Sequence, residues 1–137
     1  MKLAAFNFKK ISAEKLSEQV EKIDVKAQID ITEIIPVKGG MIKSEEDLLA
    51  INFEYTLDYN PSFAKIEFIG VFVVTTNSKE SKNILKEWKD KKIPADFKKG
   101  IYNIILRKSN IKALSLEDEM GLPLHIQLPF FKKEESL

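Results

Sequence analysis

The chain has 137 residues, of which 22 are basic, 21 acidic and 44% hydrophobic, with a formal net charge of +1 and no cysteine. That length suits one domain, residues 1–137, and folding at this size hides about two thirds of the surface that the unfolded chain exposes. The balanced charge speaks against a general nucleic-acid binder, and the absence of cysteine excludes disulfides, thiolate catalysis and sulfur-ligated zinc.

The first ten residues, Met1 to Lys10, lack an apolar run of signal-peptide length, and no stretch approaches the roughly 20 apolar residues that span a bilayer. A cytoplasmic protein without membrane insertion is expected. Phe6 and Phe8 alternate as in a strand, whereas Leu16, Val20 and Ile23 have helical spacing. The segment reads as a short first strand followed by a helical or irregular turn.

From Ile23 the period is two. Ile23, Val25, Ala27, Ile29 and Ile31 alternate with polar residues, which predicts a strand with one face on a core and one in water. Pro36 is expected to end this strand, and Gly39-Gly40 to supply a turn. A second alternating run covers Leu48 to Tyr59, with Leu49, Ile51, Phe53, Tyr55, Leu57 and Tyr59 on one face. Asn60-Pro61-Ser62 breaks it as a hairpin connection does. The strand that follows, Phe63 to about Thr76, alternates at first and then turns apolar on both faces over Ile69-Gly70-Val71-Phe72-Val73-Val74. Both faces of that strand end must therefore be covered, by the chain's own helices or by another chain, and Gly70 marks a bulge or a close approach.

At Ser78 the period changes. Ser81 to Asp90 reads as a short helix with Ile84, Leu85 and Trp88 on one side. Pro94 opens a longer helix with Phe97, Ile101, Ile104 and Ile105 along one stripe. The polar run Arg107-Lys108-Ser109-Asn110 predicts a bend or a restart there, and Gly121 and Pro123 stop the helix. Leu122 to Phe131 reads as extended, followed by a charged tail.

Little in this chain points to catalysis. His125 is the only histidine and reads as a surface or groove-lining residue; no Gly-x-Ser-x-Gly elbow accompanies it. The acidic clusters Glu45-Glu46-Asp47 and Glu117-Asp118-Glu119 read as solvated element ends and do not match a calcium loop. Arg107 is the sole arginine, which limits bidentate clamps on phosphate or carboxylate to one position. No metal, no cofactor and no enzymatic activity are expected. The 9 phenylalanines, 3 tyrosines and 1 tryptophan, by contrast, exceed what three alternating strand faces need. Residues near element ends or on doubly apolar stretches point to an apolar groove or a buried oligomer contact.

The order of parts carries a resemblance. Met1-Lys2-Leu3-Ala4-Ala5-Phe6-Asn7-Phe8 leads into a meander ending in Ile69-Gly70-Val71-Phe72, and a helix pair then closes on Gly121-Leu122-Pro123-Leu124-His125-Ile126-Gln127-Leu128-Pro129. This resembles the SecB-type export chaperones and their small SecB-like relatives. The long helix differs from the family pattern, with Ile93-Pro94-Ala95-Asp96-Phe97 in place of Phe-Pro-Tyr-x-Arg. The resemblance implies a four-stranded antiparallel sheet with helices on one side, a dimer-of-dimers assembly, and ATP-independent holding of unfolded polypeptides in apolar grooves.

The expected fold is thus α+β: a long antiparallel β-meander of about four strands followed by two helices packed on one face. The expected function is a holdase for non-native polypeptides, working as a homo-oligomer, dimer or tetramer. The candidate polypeptide-binding residues are Tyr59, Phe63, Phe72, Val74, Trp88, Phe130 and Phe131. The alternatives are an assembly subunit for one folded partner, or a small-ligand carrier or enzyme acting through His125.

Overall fold

A computed structural model describes residues 1–18, 22–38 and 46–132. Four strands come first, β1 (Lys2–Lys15), β2 (Asp24–Val37), β3 (Glu46–Asn60) and β4 (Ala64–Asn77), then helices α1 (Ser78–Trp88) and α2 (Ala95–Met120). The strands form one antiparallel sheet in the order β1-β4-β3-β2, with both helices against it. The expected α+β architecture is the one observed.

Alternation in β3 and β4 builds the core. Leu49, Ile51, Phe53, Tyr55, Leu57 and Tyr59 of β3 face the same way as Ala64, Ile66, Phe68, Phe72 and Val74 of β4, and all are buried. Helix α1 adds Ile84, and α2 adds Phe97, Ile101, Ile105 and Ala113 from a stripe of four-residue steps that also holds Ser109, so both helices share this one cluster. Burying each such large side chain contributes about 1.5–3 kcal/mol. Asn77, the last residue of β4, caps α1, its Oδ1 accepting from the Glu80 amide at 2.8 Å.

Several boundaries differ from those the sequence suggests. Strand β1 runs the full length from Lys2 to Lys15 and is not a short opening strand; Val20 lies outside the described residues. Pro36 sits inside β2, opposite Leu49, where an edge strand tolerates a missing N–H. Gly39-Gly40 and Glu45 also lie outside the described residues. Helix α2 is continuous through Arg107-Lys108-Ser109-Asn110, because that run is not uniformly solvent-facing: Ser109 is buried against the sheet.

The opposite face of the sheet carries no described helix. One end of it is apolar, where Ile35, Ala50, Val73 and Ala5 line up across all four strands. Towards the other end stand Lys26, Asp58, Lys65 and Glu14. The two-sided apolar strand end is thus covered on one face only: Phe72 and Val74 lie under the helices, whereas Ile69, Val71 and Val73 are half-buried on the open face.

Gly70 is a point of close approach, as its place in β4 suggests. A Cβ there would lie 2.6 Å from the Phe53 ring and 3.0 Å from the Asn7 carbonyl oxygen. Phe53 in turn packs on Phe6 and Phe72, with ring centroids 5.6 and 5.9 Å away. Gly70→Ala is therefore expected to cost about 1–3 kcal/mol in urea denaturation, the cost of overpacking a filled core.

Candidate functional site

Helix α2 ends at Gly121, whose φ of 65° is the left-handed conformation that glycine adopts without strain. The Leu122 amide returns to the Glu117 carbonyl at 2.9 Å, closing a Schellman-type cap, and Leu122 is buried. This reversal leads into residues 122–132, an arm without helix or strand whose His125 returns to the last turns of the helix.

The arm is pinned by a buried polar cluster. Glu117 is fully buried at the inner face of α2. Its Oε2 accepts from the Tyr59 hydroxyl and from the His125 amide at 3.0 Å, and its Oε1 accepts from His125 Nδ1 at 2.8 Å. His125 Nε2 lies 2.9 Å from the side-chain amide of Asn110, whose Oδ1 accepts from the Tyr55 hydroxyl at 2.9 Å. A carboxylate deprived of water is tolerated only when such donors replace the solvent. The sequence expectation is corrected at both positions. Glu117 is no solvated helix end, and the His125 side chain is 6% exposed, enclosed in this cluster.

The two phenols respond to the same environment. Burial pushes the Tyr55 hydroxyl well above the ordinary phenol range, and the Glu117 charge pushes it further. Tyr59 is raised by burial first, then by its hydrogen bond to Glu117 and the nearby charge.

A second feature lies at the β2 edge. The turn joining α1 to α2 is held by the Lys91 and Lys92 amides, which donate to the Trp88 and Glu87 carbonyls at 2.8 and 3.1 Å. It leaves a groove of about 710 Å³ against the edge strand. Trp88, Ile93 and Tyr102 supply its apolar wall, Asp30, Ile31 and Thr32 its strand wall, and Lys91, Lys92 and Lys98 its basic rim, with Glu87 beside them. Lys91 Nζ stands 4.5 Å over the Trp88 ring and Lys98 Nζ 5.6 Å over that of Tyr102.

The sequence-derived candidates separate accordingly. Tyr59, Phe63, Phe72 and Val74 are buried core residues and do not face solvent. Trp88 lines the groove. Phe130 and Phe131, on the arm, are 64% and 72% exposed. The groove residues Tyr102, Lys91 and Lys98 escaped the sequence reading; a lysine-rich stretch directly after Trp88 was the available signal. Among the described residues, no group of three or more histidine, aspartate or glutamate side chains is placed to hold a metal. No helix is long and apolar enough to cross a membrane. In comparisons with protein-family models, curated proteins and solved structures, nothing matches this chain.

Two outcomes follow from the buried cluster. Glu117→Ala strips three donors of their acceptor and is expected to cost about 3 kcal/mol or more in denaturant unfolding, with the arm becoming susceptible to proteolysis. Because the folded-state phenols titrate above their unfolded value, the unfolded chain releases their protons first as the pH climbs. The stability that these phenols contribute is therefore fully present below about pH 10 and declines above it, by about 1.4 kcal/mol per pH unit for each phenol. Tyr55→Phe should shallow that decline by one such increment in urea midpoints measured from pH 9 to 11.

Proposed function

We propose that this protein is a SecB-like, ATP-independent holdase that binds non-native polypeptides through apolar surface outside its core. The observation that carries this reading is the arm. Phe130 and Phe131 stand in solvent, a few residues beyond the point where His125 anchors the segment to Glu117. Anchored aromatics supply contact area at low entropic cost, and adaptable apolar surface suits clients of no fixed sequence. Trp88 in the groove gives a second such surface. The order of strands and helices agrees with the SecB-like resemblance in the sequence.

A second reading has its own support. The apolar end of the open sheet face, with Ile35 41% exposed beside half-buried Val73 and buried Ala50, is a surface that a folded partner can cover. The partner can be a second copy, giving a homo-oligomer, or a different protein that this chain helps to assemble. Neither reading calls for a cofactor or catalysis.

The deciding measurement is aggregation of a chemically unfolded client at about equimolar protein, together with solution mass by light scattering. A holdase suppresses the scattering, and Phe130→Ser with Phe131→Ser reduces the suppression by at least about half while the urea midpoint stays unchanged. No suppression by a well-folded sample, with one stoichiometric partner recovered on pull-down, selects the assembly reading instead.

A further inference from the structure

We infer that the groove between the β2 edge and the α1–α2 turn takes an extended acidic polypeptide segment, added as a strand along β2 with an apolar side chain on Trp88. This rests on the polypeptide-binding reading and assigns that reading a chemical preference. Three observations carry it.

The first is the open edge. Among the described residues β2 pairs with β3 only, so the backbone groups on its outer side have no strand to bond. The register between β2 and β3 shifts between Ile31 and Glu33, which places an extra residue, Thr32, at the groove wall. A free edge of N–H and C=O groups is matched by another polypeptide backbone, not by a lipid or a nucleic acid.

The second is charge. No carboxylate lies within 4.0 Å of Lys91, Lys92 or Lys98 among the described residues. The lining also holds two carboxylates, Asp30 and Glu87, which accept from the neutral amides of Gln28 at 3.1 Å and Asn83 at 3.4 Å. Three ammonium groups against two carboxylates leave the groove with a net positive charge, and none of the three is held in an ion pair among the described residues. In a strand, alternate side chains point the same way, so one set can reach the wall formed by Trp88, Ile93 and Tyr102 while carboxylates meet the rim.

The third is Lys91 itself. Its φ of 59° is the left-handed conformation that glycine or asparagine occupies at lower cost. Its Nζ stands over the Trp88 ring, so this strained residue places a positive charge directly on the aromatic wall of the groove.

The only tryptophan of the chain lies in this groove, so its emission reports occupancy directly. The full chain is titrated with a ten-residue peptide alternating apolar and glutamate residues, and with its glutamine and lysine counterparts. The glutamate peptide should shift Trp88 emission and bind about ten-fold more tightly than the glutamine peptide at low salt, the difference collapsing near 1 M salt, where charges are screened within about 3 Å. Lys91→Gly should hold or raise the urea midpoint, since the strained residue is relieved, and yet weaken the glutamate peptide selectively. Equal binding of the glutamate and glutamine peptides overturns the acidic preference and leaves the holdase reading standing. Anionic vesicles or single-stranded DNA shifting the emission as strongly as the glutamate peptide also overturn it. If no peptide moves the emission while client aggregation is still suppressed, the groove is not the site; if suppression is absent as well, both readings fail.

Discussion

The carboxylate of Glu117 is the constraint on which the C-terminal half of the molecule depends. Removing a carboxylate from water costs several kcal/mol unless donors surround it. Here those donors come from two separate parts of the chain, the Tyr59 hydroxyl on β3 and the amide and ring of His125 on the arm. The backbone carbonyl of the same residue accepts the amides that end the helix. One residue therefore fixes where α2 lies on the sheet, where it stops and which way the chain leaves. Breaking any of these contacts exposes the others, so the cluster sets geometry more than it adds stability.

That geometry decides which apolar side chains are available. The inner face of β3 and β4 is filled by the two helices, and its aromatic rings, including Phe72 and Tyr59, are spent on packing. What remains outside is the arm with Phe130 and Phe131, the groove at the turn between the helices, and the apolar end of the open face. Each sits at the boundary of an element, where the chain has to leave the core.

Strands β2, β3 and β4 were legible because one face of each meets a core and the other does not, which writes period two into the sequence. The bulges explain where legibility failed. In β1 the register slips between Phe8 and Lys10, so the inward residues run Phe6, Phe8, then Ile11 and Ala13, and the parity changes midway. A reader following strict alternation stops at Phe8. The same slip in β2 moves the inward series from Ile31 to Ile34 and carries the strand through Pro36. The buried cluster was hidden for another reason. Tyr59 is far from Glu117 in sequence, and Glu117 stands in an acidic triplet whose other two members are exposed. Local composition describes the neighbours correctly and the one buried carboxylate of the triplet incorrectly. The trace that was available is the stop at Gly121 followed within a few residues by the sole histidine, a spacing that brings an imidazole back over the last helical turns. The polar run at Ser109-Asn110 misled in the same manner, because Asn110 is there to meet Tyr55.

The strand order also bears on how the chain is made. Strand β1 is synthesised first, yet its only described strand partner, β4, begins at Ala64. Among the described residues, nearly all of the buried apolar ones lie from Leu49 onward, with Ile34 the sole earlier one. On a ribosome the opening strand waits, with Phe6 and Phe8 uncovered, until β4 is complete and a seat exists for it. Non-local pairing of this kind is intrinsically slow, because the intervening loop must close before any contact rewards it. Strand β1 thus waits for a partner that the chain supplies three strands later, and during that interval the nascent chain is itself a non-native polypeptide with exposed aromatic side chains.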